Sequence, residues 1–69
     1  MPISGQEAIK ILQKHGYSIS RQKGSHVIVS KQVDGSKKVA VVPNHKELKK
    51  GTLRSIARQA NIDKSELGV

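Results

Sequence analysis

The chain has 69 residues, no cysteine, a single aromatic side chain and a formal net charge of +8. That length supports one domain, residues 1–69, close to the lower size limit for a self-sufficient core, and without cysteine neither disulfides nor thiolate metal sites can staple it. No apolar run approaches the roughly 20 residues needed to span a bilayer and no charged-then-apolar secretory layout opens the chain, so a cytoplasmic domain without membrane attachment is expected.

Ser4 followed three positions later by Glu7 is a capping-box signature, framed by Ile3 and Ala8 as a hydrophobic staple, so the first helix starts there. Ala8, Ile9, Ile11 and Leu12 form its apolar stripe, with Lys10, Gln13 and Lys14 facing water. Gly16 ends it in the left-handed conformation and Tyr17 folds back as core, while His15 in the last turn suits the helix dipole and reads as structural. Residues 17–22 alternate Tyr17, Ile19, Arg21 against Ser18, Ser20, Gln22, the period of a half-buried strand.

A second strand covers His26 to Gln32, Asp34-Gly35 is a turn, and a third strand runs from Lys38 to Val42 before Pro43 stops it. In the second strand Val27 and Val29 share one face and His26, Ile28 and Ser30 the other; which face is open is not legible at this level. Asn44-His45 opens a polar, lysine-rich connection through Lys46, Lys49 and Lys50. Leu53, Ile56, Ala57 and Ala60 then form the stripe of a second helix with Arg54 and Arg58 outside. Asp63 with Glu66 offers a second capping box, for a short terminal turn carrying Leu67. The predicted fold is α+β: helix, three-stranded antiparallel sheet, helix and short C-terminal helical turn, with both helices on one sheet face.

Residues 21 to 50 hold eight Lys or Arg against Asp34 and Glu47, a net of +6, so the strands and their connections form the cationic surface. A surface of that sign attracts polyanions. With Tyr17 as the one aromatic, stacking of single-stranded bases on several rings is not available, which leaves phosphate, ribose and shape contacts. Within this surface Gly24-Ser25-His26 puts an imidazole at the mouth of a strand beside Arg21 and Lys23. A proton carrier is thereby placed within reach of a bound phosphodiester.

Three motifs in order, Gly24-Ser25-His26, Val42-Pro43-Asn44-His45 and Gly51-Thr52-Leu53-Arg54-Ser55-Ile56, together with Gly16-Tyr17 after the first helix, resemble the HicA family of toxins over nearly the whole chain. The resemblance implies a fold like that of double-stranded RNA-binding domains and an endoribonuclease that cuts messenger RNA until an antitoxin of the HicB family covers it. It assigns catalysis to the histidine after Gly-Ser, here His26, and no position of these motifs departs from the pattern.

RNA brings its own nucleophile, the 2′-hydroxyl, so the enzyme has only to move protons and stabilise the charged phosphorane. The carboxylates Asp34, Glu47, Asp63 and Glu66 are scattered, so a route without metal or cofactor is expected. His26 is the candidate general acid or base, with activity peaking near neutral pH. Arg21, Lys23 and the backbone amides of Gly24 and Ser25 are placed to stabilise charge. His45 and Lys46 are candidate RNA contacts, with His45 either a second proton carrier or a turn residue. Two other readings fit the charge: a non-catalytic module gripping duplex RNA through its backbone, and a small ribosome-associated structural protein. Replacing His26 by alanine separates the enzyme from the binding module.

Overall fold

In the computed structural model, which describes residues 3–69, Ser4 Oγ accepts from the Glu7 amide at 3.1 Å and Glu7 Oε1 accepts from the Ser4 amide at 3.0 Å. Two donors orphaned at the helix start are satisfied reciprocally, and α1 runs Gly5–Lys14 from that cap. It ends as its sequence dictates. Gly16 at φ +94° lets its own amide reach the Gln13 carbonyl and the Tyr17 amide reach the Leu12 carbonyl, the paired bonds of a Schellman stop.

The chain then forms β1 (Ser18–Lys23), β2 (His26–Val33) and β3 (Ser36–Pro43), an antiparallel sheet in the order β1-β2-β3. Both hairpins close with two residues. Asp34 and Gly35 each have positive φ, as the β2–β3 turn requires, whereas in the β1–β2 turn only Gly24 does, at +61°. After the sheet come α2 (Lys50–Ala60) and a terminal 3-10 turn, Lys64–Leu67. This is the expected α+β order.

One face of the sheet carries the core. Val27 and Val29 of β2 and Ala40 and Val42 of β3 are buried under Ala8 and Leu12 of α1 and Leu53, Ile56 and Ala57 of α2, with Leu67 of the terminal turn closing the end. Each fully buried aliphatic side chain of this kind contributes roughly 1.5–3 kcal/mol. Tyr17 joins them as expected, with Lys31 Nζ 5.8 Å from its ring centroid, so Lys31 is a packing lysine.

Five details depart from the sequence expectation, the first being that β1, read as half-buried, is exposed along its whole length. The alternation in β1 is broken by a bulge: Ile19 pairs with Val29, yet Arg21 pairs with Ile28, leaving Ser20 as the extra residue. The second capping box does not form, because Asp63 Oδ1 accepts from the Ser65 amide while the Glu66 carboxylate meets His15 Nε2 at 3.1 Å. The α2 helix begins at Lys50, three residues before its apolar stripe, with Lys49 at its N-cap and no side-chain cap. Finally, the lysine-rich connection is not wholly solvated: Leu48 is buried and its amide donates to the Ile3 carbonyl at 2.9 Å. Among the described residues no helix is long and apolar enough to cross a membrane.

Candidate nucleic-acid interface

The position of His26 follows from the pleat. Val27 and Val29 are buried under the helices, so His26, Ile28 and Ser30 point to the opposite face, which no element among the described residues covers. The Gly24-Ser25 turn makes Lys23 and His26 the first cross-strand pair of the hairpin, and Pro43 flanks His26 on the other side. His26 is exposed. Directly opposed side chains in such a ladder stand about 4.5–5.5 Å apart at Cβ.

The bulge in β1 decides what lies beside the imidazole. Had the strand alternated regularly, Arg21 would share the helix-facing side with Ile19. The extra residue instead sets Arg21 opposite Ile28, on the face that carries Lys23 and His26. The next pairs inward on that face, Ile28 with Val41 and Ser30 with Val39, add an apolar strip whose Val39 and Val41 are exposed. Cations cluster at one end, then, and aliphatic surface runs behind them.

The connection after β3 is tied to the same end by backbone bonds. The Asn44 amide donates to the Ser25 carbonyl at 2.6 Å, and the Gly5 amide at the start of α1 donates to the His45 carbonyl at 2.8 Å. Glycine is required at position 5, because a Cβ there would fall 2.1 Å from the Pro43 carbonyl oxygen. Three segments distant in sequence therefore meet beside His26, and His45 and Lys46 are held, exposed, at the same end of the sheet. There they border a shallow depression with Ser4, Gln6 and Asn44. At the hairpin turn itself, Gln22 Nε2 donates to the Gly24 carbonyl two residues on at 3.2 Å and braces the turn.

All seven residues singled out from sequence lie at this end: His26, Arg21, Lys23, Gly24 and Ser25 on the β1–β2 hairpin, His45 and Lys46 on the neighbouring connection. Lys37 and Lys38 do not join them. They flank the other hairpin, about 20 Å away at 3.4 Å per residue, so the cationic surface read as one cluster is split in two. Sequence reasoning missed Gly5, whose role depends on a strand end 38 positions on, and the bracing by Gln22 and Asn44. Only a Gly next to an N-cap, where Gly has no special advantage, hinted at the first.

Among the described residues the one contact between a basic side chain and a carboxylate joins His15 to Glu66, far along the chain from the hairpin, so Arg21, Lys23 and Lys46 are not neutralised by carboxylates within the described fold. Nor do any three His, Asp or Glu side chains among them cluster as a metal site. A family model for the HicA toxin of bacterial toxin–antitoxin systems matches residues 5–62, a span that contains all seven residues singled out from sequence. This chain belongs to the HicA toxin family. No curated protein gives a significant match. As a HicA toxin it is the toxic half of a toxin–antitoxin pair, with an antitoxin as its partner. The terminal 3-10 turn lies outside the matched span and serves the fold by burying Leu67.

Proposed function

We propose that this HicA toxin is an endoribonuclease that cleaves messenger RNA in the cytoplasm without a metal ion or cofactor, using His26 as general acid or base. The observation that carries the reading is the placement of His26: exposed, on the uncovered sheet face, paired with Lys23 and joined by Arg21 through the bulge. In the proposed reaction the 2′-oxygen of a ribose bonds to the adjacent phosphorus as the bond to the 5′-oxygen breaks. The 2′-hydroxyl proton leaves to a base and the departing 5′-oxygen gains one, giving a 2′,3′-cyclic phosphate and a 5′-hydroxyl end. His26 performs one of these transfers. Lys23, Arg21 and the amides of Gly24 and Ser25 stabilise the charge gathering on the phosphorane, and His45 and Lys46 hold the flanking backbone.

The antitoxin in this reading is an acidic protein of the HicB type that occupies the cationic sheet face and excludes RNA. The direct test expresses the chain and its His26→Ala variant side by side and follows growth and transcript integrity together. The enzyme loses cleavage and growth inhibition with the imidazole while RNA binding survives. Unchanged toxicity in the variant would point instead to a non-catalytic duplex-RNA binder.

A further inference from the structure

The α1 helix lies toward β3 and leaves β1 overhanging. Although Ile19 pairs with Val29 and faces the helix side of the sheet, it is 53% exposed. Between β1 and α1 runs a groove of about 280 Å³ whose floor is formed by Ile9, Ile19 and Val27. Its rim is made of primary amides, those of Gln6, Gln13, Gln22 and Asn44. Gln22 is engaged with the Gly24 carbonyl, whereas the side chains of Gln6, Gln13 and Asn44 have no hydrogen-bond partner among the described residues. A shallow groove of mixed aliphatic and amide lining fits a flat heterocycle with polar edges.

We infer that this groove is a nucleobase pocket that selects where the RNA is cut, an inference that rests on the nuclease reading above. The groove volume falls just below the range of roughly 300–1,000 Å³ typical of small-molecule sites, which suits a single ring system. Branched aliphatic side chains offer the base a dry face, replacing the aromatic platforms this chain lacks. A carboxamide presents one donor beside one acceptor, the complement of the N6 and N7 edge of adenine. No carboxylate lines the groove and Lys10 stands at its rim, so the phosphates on either side of a bound base are not repelled.

The groove is also in the right place. Its rim residue Gln22 and floor residue Val27 form the cross-strand pair immediately next to Lys23 and His26, and the rim residue Asn44 is bonded through its backbone to Ser25. Groove and imidazole lie on opposite sides of one hairpin tip. An RNA strand with its phosphate at His26 therefore carries a neighbouring base around the tip into the amide rim.

The test uses the His26→Ala chain, which leaves RNA intact, labelled at isoleucine and valine methyls and at the backbone amide nitrogens, and titrated with pentaribonucleotides carrying A, G, C or U in a uniform uridine background. Adenine-containing oligonucleotides should shift the Ile9, Ile19 and Val27 methyl resonances and bind about fivefold or more tightly than oligouridine, the lower end of what a bidentate amide contact discriminates. In the active chain, Gln13→Leu should broaden the base found at a fixed offset from cut sites. Silent methyls alongside shifting Lys23 and Arg21 amides would overturn the pocket and leave the nuclease interface standing. Silence at both would remove the RNA reading with it. Methyl shifts produced by an antitoxin but by no oligonucleotide would make the groove a protein-docking site and refute the inference.

Discussion

The Tyr17 hydroxyl donates to the Ala60 carbonyl at 2.8 Å, bridging 43 positions and joining the entry of β1 to the last turn of α2. That carbonyl is one of the acceptors a helix leaves without an internal partner at its C-terminal end. Burial raises the Tyr17 pKa above its ordinary value near 10, because a phenolate there would be stripped of water. A raised acid of this kind stabilises the fold fully below the unfolded value and loses its contribution as pH climbs through the folded one. Urea unfolding between pH 8 and 11 should therefore show an alkaline fall in stability. Tyr17→Phe should cost about 1 kcal/mol at neutral pH and flatten that fall; a variant keeping the full alkaline slope would clear Tyr17 of responsibility.

Gly5→Ala should destabilise the protein by about 1–3 kcal/mol, the usual range for overpacking, even though alanine is the better helix former by about 1 kcal/mol. The methyl collides with a backbone oxygen, which has no rotamer to escape into. Gly51→Ala is the matched control in α2, where an added Cβ meets nothing within 4 Å. It should raise stability by about 0.4–1 kcal/mol. Thermal melts of the two variants side by side check the sign of both effects.

Lys23→Ala should weaken RNA binding and lower the slope of log affinity against log salt by about one phosphate contact. Lys37→Ala, at the far hairpin, should change both far less. Binding isotherms over a series of KCl concentrations, measured in the His26→Ala background, give the comparison. Equal losses would mean that RNA lies along the whole sheet and not at its His26 end.

Ser4→Ala removes the acceptor for the Glu7 amide and should cost about 1 kcal/mol. Because α1 begins at the residue clamped onto the His45 carbonyl, amide exchange at Gly5 and Asn44 should quicken together in this variant. Faster exchange confined to α1 would show that the cap and the clamp are independent.

What sequence alone conveyed divides along the reach of the forces involved. The Ser4-Glu7 cap and the Gly16 stop were legible because each is settled within five residues. The opposition of His26 to Val27 was legible because a strand has period two, but choosing the open face needed the helices in place. The bulge at Ser20 was not legible, since it is a property of register between two strands, and with it went the position of Arg21. The second capping box failed for a similar reason: Glu66 had an alternative partner in His15, 51 positions away. The start of α2 carries no capping side chain to mark it, and the buried Leu48 just before it interrupts a run of lysines that reads as solvated.

The junction where Gly5, Asn44 and Ser25 meet makes the toxin fragile at places that do no chemistry. In a culture forced to express the gene, colonies that survive should carry lesions at Gly5 as well as at the proposed catalytic His26, since a single methyl on the helix start collides with the Pro43 carbonyl next to the histidine-bearing strand end. Inheritance of an inactive copy would then be written in a glycine whose part is to let a helix start close against a strand end.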